Sequence, residues 1–212
     1  PETGYAMYVA KLTRDDHGRI TGTEEPVRLS PPGSANTCGW FDPKNPSRVI
    51  YGSTILPPSN DQKSGFQVGT RRYVWMFPDE MEIVEQYVFA VGGGAGDRNY
   101  VRGPAKKGTE PKVLFSRPNY DAESSFTRDG KFVLYAHVRD EPTRGRPDAD
   151  IYVYDMEAKT HTPLVVADGY DGGPFFSPDD KWICYRSDRR GDDLLQLFIA
   201  ELDWKDGKLA GI

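Results

Sequence analysis

The chain holds only two cysteines and three histidines in 212 residues. Cys38 and Cys184 are too few for a disulfide framework, and neither lies in a CxxC or beside a histidine cluster. They are expected to be small buried side chains that are not bonded to each other. His17, His137 and His161 fall in different segments, none with a second His or Cys at zinc-ligand spacing. No apolar run approaches the roughly 20 residues of a membrane-spanning helix. Neither sign of charge is segregated: 27 Lys and Arg interleave with 32 Asp and Glu for a net charge of −5. That pattern lacks the basic footprint of a nucleic-acid binder. There is no GxSxG nucleophile elbow and no phosphate loop ending in Gly-Lys-Ser/Thr. The run GGGAG (92–96) fails the dinucleotide-binding spacing, because Asp97 stands where the third glycine belongs. No convincing amphipathic helix is found. The nearest approach, EMEIVEQYVF (80–89), is read as strand from Gln86 onward.

What the chain has in quantity is turn chemistry and repetition. It contains 22 glycines and 17 prolines, as expected of many short strands joined by tight turns. The segment YDAESSFTRDGKFVLY (120–135) lies over YDGGPFFSPDDKWICY (170–185) at an offset of 50 residues without a gap. A fainter copy, WFDPKNPSRVIYGS, occupies 40–53. A second element recurs as AMYVAKL (6–12), QYVFAV (86–91), DIYVYDM (150–156) and QLFIAEL (196–202). A third, led by proline, recurs as PVRLS (26–30), PKVLFS (111–116) and PLVVA (163–167). RDGK (128–131) and PDDK (178–181) are hairpin turns, since Gly and Asp accept left-handed backbone. Each unit thus reads as strands a and b of a hairpin, a Tyr-Val strand c, and an edge strand d where proline costs no ladder bond. Four antiparallel strands repeated every 45–50 residues describe a propeller blade.

The run FSPDDKWICYRSDRRG (176–191), followed by LFIAELD (197–203), resembles the TolB-like (PD40-type) propeller repeat, whose hallmark is a Phe-Ser-Pro-Asp-Gly-Lys turn. The copy at 126–131, FTRDGK, has Arg128 in place of the proline. The expected fold is therefore all-β, a partial β-propeller with about three blades visible and the chain ending mid-blade. Residues 1–30 end one blade, and 31–117 form a second with insertions at 55–79 and 92–108. Residues 118–167 form a third blade, and 168–212 an incomplete fourth. Thirteen strands are expected. The resemblance implies a location outside the cytoplasm, periplasmic or extracellular, and a non-enzymatic module that binds or assembles with a protein partner. The alternative it leaves open is the substrate-gating propeller of a larger prolyl oligopeptidase-like or tricorn-like peptidase.

Two groups of residues are candidates for a site. Asp121 and Asp171 recur at the head of strand a, with Glu123 two residues beyond the first. In a propeller the innermost strand lines the central channel, so a ring of carboxylates there would hold Ca²⁺ or a cationic partner group. The second group lies in the insertions. Tyr73, Trp75 and Phe77 offer an aromatic surface. Arg98, Arg102, Lys106 and Lys107 make a Gly-rich basic loop suited to a protein partner. No other cofactor is expected.

Overall fold

The computed structural model describes residues 5–59, 65–67, 69, 72–74, 77–88, 110–139, 147–192 and 194–212, with 65–67 and 72–74 described by backbone alone. These residues contain nineteen strands and no helix. Blade one comprises β1 (Tyr8–Val9), β2 (Leu12–Arg14), β3 (Ile20–Thr23) and β4 (Val27–Arg28). β1 pairs with β4, and the β2–β3 hairpin extends the pair outward. Blade two comprises β5 (Asn36–Phe41), β6 (Arg48–Ser53), an inserted hairpin of β7 (Gly65–Gln67) and β8 (Arg72–Val74), then β9 (Glu82–Tyr87) and β10 (Lys112–Phe115). Its sheet runs β5-β6-β9-β10, all antiparallel. Blade three is β11 (Asp121–Phe126), β12 (Phe132–Val138), β13 (Ala149–Asp155) and β14 (Thr160–Val165), paired in chain order. Blade four is β15 (Asp171–Phe176), β16 (Trp182–Ser187) and β17 (Gln196–Glu201), followed by a hairpin of β18 (Asp203–Lys205) and β19 (Lys208–Gly211).

The expected strands a to d are present, and six more strands lie in the hairpins β2–β3, β7–β8 and β18–β19. The insertion at 55–79 contains one of these hairpins, with strands Gly65–Gln67 and Arg72–Val74. Strand c of blade two also differs from expectation: it begins at Glu82, four residues before Gln86. The reason is packing on both faces. Adjacent residues on a strand point to opposite sides of its sheet, and Ile83 and Val84 are both fully buried, one toward each neighbouring blade. A strand of that kind shows no apolar–polar alternation to mark where it starts.

Three apolar layers hold the blades together. Val9 and Leu29 of blade one meet Val49, Tyr51, Val84 and Val88 of blade two. Ile50, Ile83 and Phe115 of blade two meet Phe126, Val133, Tyr135 and Tyr154 of blade three. Phe132, Leu134, Ile151 and Val153 of blade three meet Phe176, Ile183 and Tyr185 of blade four. Phe126 and Phe176 are thus buried at equivalent places in consecutive blades, as are Tyr135 and Tyr185. Both cysteines are free, but Cys38 is exposed and Cys184 half-buried rather than packed away. Cys38 lies on β5, which pairs with β6 and packs against β11. Cys184 lies on the outward face of blade four.

The a–b turns follow their sequences. Gly130 has φ 70° and its N–H donates to Thr127 O at 2.9 Å. Asp129 Oδ1 accepts from Thr127 Oγ1 and Lys131 N, closing the turn. In blade four Asp180 takes the left-handed position with φ 56°. Its carboxylate also accepts from Arg128 N at 3.0 and 3.1 Å, tying one turn to the next.

Candidate functional site

The ladders align the blades residue by residue at the end where strand a begins. Asn36 pairs with Ser53, Asp121 with His137, and Asp171 with Ser187. Asp121 is fully buried, and its Oδ1 lies 2.8 Å from His137 Nδ1. Burial pushes its carboxyl above the ordinary range, with the hydrogen bond to His137 opposing. Asp171 Oδ1 accepts from Arg189 Nη2 at 2.9 Å. Its carboxyl is also raised by burial, against Ser187 and Arg189.

Glu123 goes elsewhere. Strand a bulges after Ala122, and Glu123 sits in the left-handed region with φ 58°. The bulge re-aims its side chain across the joint to blade four. There Oε2 accepts from Tyr170 Oη and Gly173 N, each at 2.6 Å, and Oε1 accepts from Arg186 Nη2 at 2.7 Å. Gly173 is the counterpart of Glu123 fifty residues on, and has the same φ of 58°. A Cβ at Gly173 would stand 2.7 Å from Arg186 Nη2, so the missing side chain is what lets the guanidinium reach Glu123. Asp121, Glu123 and Asp171, expected to share a Ca²⁺ site, are not brought together in one cluster. The bulge carries Glu123 to the next blade, while Asp121 and Asp171 turn to His137 and Arg189 in their own blades. Among the described residues no three His, Cys, Asp or Glu side chains form a group able to hold a metal ion.

Sequence reasoning missed the acids at the head of strand c. Glu82 lies opposite Ser53 and Asp150 opposite His137, so the two are equivalent. Burial raises Glu82 to about 7, with Ser116 opposing and the Asp121 charge adding to the rise. Burial raises Asp150 to about 6, with Arg139 opposing and Asp148 and Asp171 adding. Arg139 donates to Asp148, and its Nε lies 3.0 Å from Asp150 Oδ2. The available signal was positional: Asp150 heads one copy of the Tyr-Val element, and Glu82 would have matched it had β9 been placed correctly. Arg186 and Tyr170 were also missed. Tyr170 opens the repeat and Arg186 directly follows it, but the contact they make crosses a joint that no local pattern describes.

Of the insertion residues, Phe77 is half-buried. Its ring lies 5.1 Å from Tyr120, edge-on, and 5.9 Å from Tyr170. That packing sets one side of its ring against the cluster that contains Met81, Tyr120 and Val138. Tyr73 lies in β8, whose side chains are outside the described set. Trp75, Arg98, Arg102, Lys106 and Lys107 fall outside the described residues, with all of 92–108.

An exposed apolar surface occurs instead on blade four. Phe132 pairs with Asp155 and Trp182 with Glu201, which makes Ile151 equivalent to Leu197 and Val153 to Ile199. Ile151 and Val153 are 0% and 5% exposed under blade four, whereas Leu197 and Ile199 are 74% and 71% exposed. Phe175 and Trp182 are exposed on the same face. Together with Phe176, Ile183, Cys184 and Ile199 they line a groove of ≈ 550 Å³.

A search of the solved structures finds TolB from Acinetobacter baumannii, with a TM-score of 0.54 and 16% identity over 95% of this chain. The fold is that of a TolB-like β-propeller. The propeller chain covers 40% of that TolB chain. Oligogalacturonate lyase from Vibrio parahaemolyticus and the tricorn protease also match, at TM-scores of 0.44 and 0.42 and 14% and 15% identity. They cover 87% and 88% of this chain, which spans 41% and 15% of theirs. Among curated proteins, an uncharacterized protein of Agrobacterium fabrum is 30% identical over 100 residues, 47% of this chain and 31% of that protein. The propeller chain therefore spans about a third of that relative's length. No family model matches. Among the described residues no helix is long and apolar enough to cross a membrane.

Proposed function

We propose that this propeller arc is a non-enzymatic protein-binding and assembly module that acts outside the cytoplasm, in the periplasm if its source is a Gram-negative bacterium. Likeness of fold to TolB supports the compartment. The observation that carries the assembly role is the outward face of blade four. Its residues match, position for position, those that blade three buries under its neighbour. The occupant on this reading is the a–b hairpin of another blade, because β15 and β16 are what cover those positions in blade three. β17, at the edge of its sheet, adds a ladder for a fourth strand.

Sedimentation velocity on the full chain tests this reading, using a second copy as the probe. Concentration-dependent association is expected over the micromolar range. Leu197→Asp with Ile199→Asp is expected to abolish it while leaving the circular dichroism of the chain unchanged. A wild-type chain that stays monomeric throughout, or a variant that associates as the wild type does, removes the support for this face as a docking surface.

A further inference from the structure

We propose that each of the two joints linking blades two, three and four holds a pair of carboxyl groups sharing one proton, so that blade docking loosens as the medium passes from mildly acidic to alkaline. The pairs are Glu82 with Asp121 and Asp150 with Asp171. In each, the first residue stands at the head of strand c and the second begins strand a of the next blade. The backbone brings them side by side. Asp121 N donates to Met81 O at 2.8 Å. Ala149 is bridged in parallel to Tyr170, with Ala149 N donating to Gly169 O at 3.0 Å. Two acids are thus brought to neighbouring strand heads at the same place in two successive joints, although the residues that supply them differ.

The Asp150–Asp171 pair is closed off from water, and at the other joint Asp121 is buried beside a half-buried Glu82. Asp121, Asp150 and Asp171 are 0–1% exposed. Glu82 Oε2, Asp121 Oδ2 and Asp171 Oδ2 are buried and accept no hydrogen bond, and Asp150 Oδ2 has only its ion contact with Arg139. Two ionised carboxylates in such a place repel strongly, and a proton held between them removes one charge and supplies a donor. The surrounding charges do not remove the conflict. Asp121 faces His137 and the Arg117 side chain, Glu82 faces the Ser116 hydroxyl, and the Arg117 backbone N–H favours the charged form of both. At the other joint Arg139 meets Asp148 and Asp150, Arg189 meets Asp171, and Asp188 adds a further negative charge beside Asp171. The raised values of Glu82, about 7, and Asp150, about 6, agree with this arrangement. Burial is the larger cause in each, and the acid across the joint adds to it.

A carboxyl held above its unfolded value binds its proton more tightly in the folded chain. Its contribution is complete below the ordinary carboxylate range and is lost as pH rises through the folded value. The folding equilibrium constant of the full chain is therefore expected to fall by about tenfold or more per joint between roughly pH 5 and pH 8. Urea unfolding at a series of pH values reads this directly. Glu82→Gln and Asp150→Asn should each remove one joint's share, and the second does so at a joint without histidine. Carbon-13 spectra of the wild-type side-chain carboxyls supply a reading that needs no variant, with Glu82 and Asp150 expected to titrate well above ordinary carboxylates. Stability that is flat or rising across this range overturns the proposal. So does a fall undiminished in both variants, or ordinary midpoints for both carboxyls. Recovery at pH 8 on adding Ca²⁺, absent from the two variants, overturns it in favour of a metal between the blades.

Discussion

Phe176→Ala is expected to lower the stability of the chain by about 3–5 kcal/mol, as for a large aromatic removed from a packed core. Phe126→Ala should cost a similar amount. Phe41→Ala, at the corresponding position of blade two, should cost less than about 1 kcal/mol, because surface positions carry little packing. All three occupy the last position of strand a, opposite Val49, Val133 or Ile183 on strand b. Their surroundings differ. Phe126 and Phe176 are 3% and 5% exposed between two blades, while Phe41 is 49% exposed. The comparison uses one residue type at one repeat position, so transfer and rotamer differences largely cancel. Urea denaturation of the three variants measures it. Equal losses at Phe41 and Phe176 would mean that the last position of strand a is not packed in the way described.

Glu123→Leu should be nearly as damaging, at about 3 kcal/mol. Glu123 joins blade three to blade four through three donors, one of them charged. Its side chain is 4% exposed, and that of Arg186 is 28% exposed. Removing the carboxylate leaves the guanidinium, the Tyr170 hydroxyl and the Gly173 amide with polar groups to satisfy in a largely closed space. Partial access of Arg186 to water keeps the loss below that of a wholly buried pair. Glu123→Gln keeps an acceptor and should recover part of the loss. Gly173→Ala attacks the same contact from the other side, by pushing Arg186 away and straining a residue at φ 58°. Thermal unfolding of these variants should rank Glu123→Gln as the mildest of the three. A Glu123→Leu chain as stable as the wild type would show that the clasp contributes nothing.

These contacts show where the sequence was informative. The alignment of 120–135 with 170–185 located two a–b hairpins, their turn residues and four buried aromatics, because a repeated hairpin writes its chemistry into consecutive residues. Strand c of blade two was misplaced, because a sheet packed on both faces loses the alternation that marks a strand, as Ile83 and Val84 illustrate. Recurrence drew attention to the carboxylates, but the side chains they meet were not foreseen. Glu123 was assigned to the channel on the assumption that strand a is regular. One bulge residue moved it to the next blade. Glu82 and Asp150 escaped notice because their importance depends on which strand head lies across the joint, a relation between residues 21 to 39 positions apart in the chain.

The stacking of blades through nearest-neighbour layers also bears on how the chain opens. Each blade is a stretch of consecutive residues, and three of the apolar layers join adjacent blades, with a smaller inner cluster around Tyr120 reaching from Phe77 of blade two to Tyr170 of blade four. Such an array loosens from its ends, since a terminal unit breaks one interface and an internal unit breaks two. Blade three has a neighbour on both sides, and every residue of β11 and β12 is buried. β17 alternates between half-buried and exposed positions along an open edge. Amide hydrogens of β11 and β12 should therefore exchange only when the whole array comes apart, while those at the free edge of β17 escape by local fraying. The gradient of exchange would run along the arc and trace the order in which neighbours let go.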